Sequence, residues 1–265
     1  STGSLECKYT YADIDNDGNS STVTWYKNNS NVHTGVTYGG PFVGSDQIYC
    51  SVQANDGTVN GNSTNSSTLT VGNTAPVVSG VDITPNAPKT DQGLSCAHNY
   101  TDADNDPNNS SYAWTVSSTQ AGAGTVVGGN SSTLASSNFS RDEWVTCTVT
   151  ANDGIINGNF DSDQVQILNT APAVSAAYID PSSVVASTGS LECKYTYADI
   201  DNDGDASTVT WYKNNTNVHT GAHYSGPYVG GDQIYCKVQS NDGTVNGNST
   251  NSSTLTVGNT APVVS

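Results

Sequence analysis

The sequence predicts an all-β protein of three tandem β-sandwich modules, and three observations carry that prediction. Residues 1–79 return as residues 187–265 with 10 differences, an internal repeat at an offset of 186. A Cys, Trp, Cys series occurs three times, as Cys7, Trp25 and Cys50, as Cys96, Trp114 and Cys147, and as Cys193, Trp211 and Cys236. Apolar residues alternate with polar ones at the period of a half-buried strand, and no segment sustains a helical period.

The repeat sets the domain organisation. Cys-to-Trp and Trp-to-Cys gaps are 18 and 25 residues in the outer series, and 18 and 33 in the middle one. The pattern is A–B–A′: module A over 1–74 with its first strand missing, module B over 75–170, module A′ over 171–260, and the start of a further module at 261–265. Module A lacks the segment that Ala173–Ser187 supplies to A′, and Asn259–Ser265 repeats the linker Asn73–Ser79. Both ends therefore read as cuts through a longer array.

Within module A, Leu5, Cys7, Tyr9 and Tyr11 alternate with polar neighbours, so one face of that strand meets a core. Val23 with Trp25, then Ile48, Cys50 and Val52, then Leu69 and Val71 continue the alternation. Asp15-Asn16-Asp17-Gly18, Gly39-Gly40-Pro41 and Asn55-Asp56-Gly57 punctuate these runs as turns.

Charge narrows the partners. The net charge of −17 arises because Lys and Arg total only seven, and such a surface repels nucleic acid and anionic membrane. No apolar run is long enough for a bilayer-spanning helix, so no membrane insertion is expected in this segment.

Six cysteines fall as one pair per module at inward-facing positions. Pairing within modules is the expectation, and it implies an oxidising, extracellular or cell-surface setting; buried free thiols are the alternative. Closing a loop of about 43 residues stabilises a module by about 4 kcal/mol in the chain-entropy model. No Cys-x-x-Cys occurs and no His stands at ligand spacing from a Cys, so a thiolate metal site is not expected.

A Cys on an early strand, a Trp on the next and a Cys on a late strand resemble the immunoglobulin fold, over the whole chain and three times. The resemblance implies disulfides Cys7–Cys50, Cys96–Cys147 and Cys193–Cys236, each packed by Trp25, Trp114 or Trp211. Two departures stand out: the first gap is longer than in antibody domains, and Ile48, Val145 and Ile234 fill the tyrosine-corner position. With their Asn-Thr-Ala-Pro linkers and Asp-rich loops, the modules are similar to tandem immunoglobulin-like, PKD-like and cadherin-like modules of archaeal and bacterial surface and filament proteins.

The acidic loops are the candidate metal sites. Each module carries three aspartates at alternate positions: Asp13, Asp15 and Asp17; Asp102, Asp104 and Asp106; Asp199, Asp201 and Asp203. Each also carries Asn-Asp-Gly after its second Cys, with Asp56, Asp153 and Asp242. In an immunoglobulin-like sandwich both loops lie at the end where the chain enters, so the expectation is a Ca²⁺ at each module junction, stiffening a rod. Carboxylates at i, i+2 and i+4 converge on a hard cation that takes six to eight oxygens. Thr24 and Thr210 replace the last Glu of an EF-hand loop, which excludes that motif, and Pro107 makes the middle loop the poorest match. The plain alternative is that Asp, Asn and Gly are good turn residues.

Twelve Asn-x-Ser/Thr sequons are candidates for N-linked glycans: Asn19, Asn28, Asn62, Asn65, Asn99, Asn108, Asn109, Asn130, Asn138, Asn214, Asn248 and Asn251. No catalytic constellation is present, and an enzyme is not expected; His33, His98, His219 and His223 occur without nucleophile or phosphate-loop motifs. The function expected is a structural extracellular filament, stalk or adhesin shaft. Its partners are the neighbouring modules of the same chain, with other copies in a filament an open question. The alternative is a set of accessory modules beside a secreted enzyme, carbohydrate-binding through Tyr26, Tyr38 and Tyr49.

Overall fold

The computed structural model describes residues 3–186 and 188–264, and these form three β-sandwiches in series. The only helical element among them is a short 3-10 turn at Ser136–Asn138.

Module B shows the complete plan. Its larger sheet has four strands in the order Thr125–Val127, Ser111–Ser117, Trp144–Asn152 and Asn157–Gln166. The facing sheet has three, Thr133–Leu134, Leu94–Thr101 and Val77–Thr84. The alternation seen in sequence is realised: along Trp144–Asn152 every second residue, from Val145 to Ala151, is buried. Module A′ repeats this with Thr208–Lys213 and Gln233–Asn241 at the centre of one sheet and Ala173–Asp180, Leu191–Ala198 and His223–Tyr224 in the other.

Each disulfide joins the two sheets. Cys7–Cys50, Cys96–Cys147 and Cys193–Cys236 are all formed, so the free-thiol alternative is excluded. Trp25, Trp114 and Trp211 sit directly across the strand pair from Cys50, Cys147 and Cys236. Each indole N–H donates to a backbone carbonyl, of Gly35, Ser131 or Gly221, at 2.9 Å. The largest apolar side chain is thereby buried without an orphaned polar atom.

The first strand of modules B and A′ is held in a further way. Val77–Thr84 pairs with Leu94–Thr101 on one side. On the other, side chains of the neighbouring strand accept its free N–H groups: Asn159 from Val78 at 2.8 Å and Asp163 from Ile83 at 2.8 Å. Asn159 also donates to the Val78 carbonyl, and Asn248 makes the same two-way clamp on Val174 in A′. Glycine is obligatory beneath the incoming chain, since a Cβ on Gly158 or Gly247 would lie 1.7 or 1.6 Å from the carbonyl oxygen of Pro76 or Pro172.

Module A has the same larger sheet, built on Thr22–Lys27 and Gln47–Asn55. Its second sheet is reduced to Leu5–Glu6 paired with Thr37–Tyr38. The sequence Leu-Glu-Cys-Lys-Tyr-Thr-Tyr-Ala is an eight-residue strand at Leu191–Ala198, but only Leu5–Glu6 is strand in module A, where among the described residues no first strand lies alongside.

Ile234 is fully buried in the A′ core whereas Ile14 is 95% exposed in a loop. Ile234→Ala should destabilise its module by about 2–5 kcal/mol, and Ile14→Ala should change stability by less than about 0.5 kcal/mol. Denaturant unfolding followed by amide exchange, resolved by module, reads both.

Candidate functional site: the acidic loops at the module junctions

The acidic loops are built by the aspartates themselves. Asp102 Oδ1 accepts the N–H groups of Asp104 at 2.8 Å and Asp106 at 3.0 Å, folding the loop around its own first carboxylate. Asp13 and Asp199 do the same in their modules. The residue at the crest of each loop, Asn16, Asn105 or Asn202, has a positive φ, which Asn tolerates well.

The loops of modules B and A′ reach back to what precedes them. Asp104 accepts the Gly44 N–H with one oxygen and the Thr74 N–H with the other, both at 2.6 Å. These donors hold its carboxyl below the usual range, the Thr74 N–H most of all. Asp153 accepts the amide of Asn73 at 2.7 Å and the N–H groups of Ile155 and Ile156. At the second junction Asp201 accepts the Thr170 N–H at 2.7 Å, and Asp242 accepts the Asn169 amide at 2.8 Å. The Asn-Thr of each linker is therefore clasped by the two acidic loops of the following module.

One position separates the two junctions. Gly44 of module A and Arg141 of module B occupy the same turn, one residue after Val43 and Ser140. A Cβ on Gly44 would meet Asn73 Oδ1 at 3.0 Å and Asp104 Cγ at 3.1 Å, so the backbone itself approaches the acidic loop. Arg141 instead sends its guanidinium to Asp203 as an ion pair and to Asn169 Oδ1 at 3.0 Å. Although burial opposes its charge, the Asp203 carboxylate raises the Arg141 pKa further.

Carboxylate oxygens converge at both places. Those of Asp102, Asp104 and Asp106 lie within 4.8 Å of one another, as do those of Asp199, Asp203 and Asp242. Pro107, which made the middle loop the poorest match, does not prevent all three of its aspartates from gathering. Burial and the neighbouring Asp102, Asp153 and Asp104 push the Asp106 carboxyl up, the signature of crowded negative charge.

Several buried oxygens here have no hydrogen-bond partner: Asp102 Oδ2 and Asn73 Oδ1 at the first junction, Asp199 Oδ2, Asp201 Oδ1 and Thr170 Oγ1 at the second. An all-oxygen set of this kind fits a hard divalent cation. Asp104 and Asp153 have a different first role from the one their spacing implied, because N–H donors already engage both oxygens of each. In module A, Asp15 and Asp17 stand exposed, and Asp56 accepts its own turn N–H groups of Thr58 and Val59 at 2.6 Å.

Several sequence-predicted glycan sites lie at the surface but spend their amide nitrogen on a hydrogen bond of the fold. The Asn248 amide nitrogen donates to Val174 O at 2.9 Å, so a sugar there would break the clamp on the first strand. Asn28 and Asn214 form hairpin turns at positive φ and donate to the buried carboxylates of Asp46 and Asp232 at 2.8 Å. These three are structural amides in the folded modules. Asn65, Asn99, Asn130 and Asn251 are exposed as well, and their amide nitrogens donate no hydrogen bond among the described residues. Tyr38 is also not the exposed sugar platform proposed for it: it is buried against Trp25, His33 and Phe42. Tyr26 and Tyr49 stack on each other at 4.9 Å as a cross-strand pair, as do Tyr212 and Tyr235.

Two sheets, an inter-sheet disulfide and a Trp facing its second Cys recur in every module. The modules are immunoglobulin-like. No family model and no curated protein sequence matches the chain. Among solved structures, the amphioxus IgVJ-C2 molecule aligns at a TM-score of 0.38 with 18% identity, over 63% of this chain and 96% of that one. Three N-terminal domains of the bacteriophage RB49 outer capsid protein Hoc align at 0.34 with 17% identity, over 97% and 94%. Immunoglobulin domains 1–5 of Sidekick-1 align at 0.37 with 13% identity, over 98% and 56%. Scores this low carry no argument about function, and the immunoglobulin-like assignment stands on the features within the chain. Among the described residues, no helix is long and apolar enough to cross a membrane.

Asp104→Ala removes the acceptor for two N–H groups that belong to the preceding module and linker. The separate modules should melt as before while the angle between A and B broadens. Small-angle scattering should show this as a wider distribution of intramolecular distances, and an unchanged distribution would mean the clasp does not set the angle.

Proposed function

We propose that this chain is a load-bearing stretch of an extracellular repeat protein, a filament, stalk or adhesin shaft. The observation that carries the reading is the clasp: the acidic loops of modules B and A′ hold the linker that enters their own module, so the same contact that recognises a neighbour fixes its direction. A repeat of two modules joined this way extends one chain by any number of units, with stability roughly the sum of module and junction terms. The three disulfides support an oxidising compartment.

In this reading a Ca²⁺ at the junction completes the clasp. Asp102, Asp106 and Asn73 supply oxygens at the A-to-B junction, and Asp199, Asp203 and Thr170 at the B-to-A′ junction. The bound cation would offset the mutual repulsion of the carboxylates and resist bending. The B-to-A′ junction depends on it less, because Arg141 already brings one positive charge to Asp203. The alternative of carbohydrate-binding accessory modules is weakened by the burial of Tyr38 and the mutual stacking of Tyr26 and Tyr49.

Calcium titration of the chelator-stripped chain, read by calorimetry and scattering, tests the metal. Binding should narrow the inter-module distances, and Asp102→Asn should abolish the A-to-B response while leaving the B-to-A′ one. No heat and no narrowing up to millimolar Ca²⁺ would leave a metal-free clasp. Glycopeptide mapping of the native protein should find sugar at Asn65, Asn130 or Asn251 and none at Asn28, Asn214 or Asn248. Occupancy at Asn248 in folded material would contradict the clamp.

A further inference from the structure

The outer face of the larger sheet carries a paired feature in modules A and A′ that module B lacks. In A, Tyr26 and Tyr49 lie opposite each other on Thr22–Lys27 and Gln47–Asn55, and their rings stack with centroids 4.9 Å apart and planes 6° from parallel. The next strand of the sheet, Asn60–Asn65, ends on Asn65 opposite Ser51, two residues along the chain from Tyr49. In A′, Tyr212 and Tyr235 stack at 4.8 Å and 4°, and Asn251 stands opposite Lys237. In B the same three positions are Thr115, Thr146 and Ser162. The tyrosine pair and the asparagine are present together or absent together.

Side-chain direction follows from the register. Along Gln47–Asn55, Ile48, Cys50 and Val52 are buried, so Tyr49 and Ser51 point outward. Asn65, opposite Ser51, points to the same face as Tyr49. In A′ the clamping Asn248 lies three residues before Asn251, so alternation sends the first inward to Val174 and the second outward. Asn65 and Asn251 are exposed, and each opens an Asn-Ser-Ser sequon. Tyr49 and Asn65 are diagonal cross-strand neighbours, about 7–8 Å apart, a gap that long or aromatic groups span. Tyr26 covers one face of the Tyr49 ring, and because the planes are nearly parallel the other face turns toward the strand that carries Asn65.

We propose that the free ring faces of Tyr49 and Tyr235 seat the first sugar of N-linked glycans on Asn65 and Asn251. The inference rests on the glycosylation reading above and adds to it where the sugar lies. The axial C–H groups of a glucose-type pyranose form an apolar face, and the electron-rich face of a tyrosine ring receives them. One ring face is too small to hold a free sugar. A sugar bonded to Asn65 is confined beside the ring, and the tether removes most of the entropic cost of association. Tyr26 backs the Tyr49 ring from the other side and holds its plane upright. The outer sheet face of A and A′ is then covered by sugar, whereas that of B has no such seat.

The test uses the whole 265-residue chain made in a cell that N-glycosylates it, with occupancy read by glycopeptide mapping and opening of Gln47–Asn55 read by amide exchange. Removing the sugar with Asn65→Gln should raise that opening about threefold or more while Tyr49 is present. In a Tyr49→Ser background the same removal should leave the opening unchanged. Proton NMR should show upfield ring-current shifts in the Asn65 sugar that vanish with Tyr49→Ser and persist with Tyr235→Ser. Sugar at Asn65 whose removal acts equally in both backgrounds, and whose protons show no ring-current shift, would overturn the seat and leave the glycosylation standing. Bare Asn65 and Asn251 in the mapped chain would overturn the seat together with the glycosylation of these two sites.

Discussion

Each module is organised around one crowded contact, the Trp that stands opposite the second half of a disulfide. The disulfide fixes the distance between the two sheets at that level, and the indole fills the space beside it. Because the indole N–H finds a loop carbonyl, of Gly35, Ser131 or Gly221, burial of the ring leaves no polar atom unpaired. A sandwich of fewer than a hundred residues buries a smaller fraction of its surface than a larger domain does and benefits most from a covalent link of this sort. It also frees the loops, since a core pinned at its centre tolerates aspartate-rich segments at its ends.

The features fixed by local pattern were legible in sequence. Period-two alternation placed Ile48, Cys50 and Val52 on one face, and the Cys and Trp spacing located all three disulfides. The acidic loops were identified by residue, and their place at the junctions followed from the immunoglobulin-like plan. What sequence did not disclose are partners far apart in the chain. Gly44 and Thr74 are 60 and 30 residues from the Asp104 that binds them, so no local motif announces the contact. Arg141 looks like an isolated surface cation until the fold brings it to Asp203. Asn248 reads as a glycan acceptor because the sequon and the strand clamp require the same residue type, and only the geometry of Val174 separates them.

The octapeptide shared by Leu5–Ala12 and Leu191–Ala198 shows how much of a strand is contextual. Identical residues have identical propensities, yet the ladder extends to eight residues only where a first strand lies beside it. β-structure at this edge is set by the partner that satisfies its N–H and C=O groups, with side-chain preference a weaker influence. The larger sheet of module A keeps Thr22–Lys27 and Gln47–Asn55 at the lengths of Thr208–Lys213 and Gln233–Asn241 in A′, so the difference is confined to the edge that a first strand covers.

The two junctions use one scaffold with different charge balance. At the first, Gly44 brings only an N–H dipole to Asp104, so Asp102, Asp106 and Asp153 remain close together without a nearby cationic side chain in that turn. At the second, the guanidinium of Arg141 meets Asp203 and Asn169 together, and the clasp contains an internal counter-charge. Coulomb repulsion between partly buried carboxylates is weakly screened by salt, so the residue at this turn sets how much of the junction's negative charge is balanced within the protein. In A′, Gly230 stands where module A has Gly44, so the glycine form of the turn is the one shared by the two A-type modules. The same scaffold of Asn-Thr linker and two acidic loops thus carries two electrostatic solutions, one with a backbone dipole and one with a guanidinium, and the choice between them rests on one side chain.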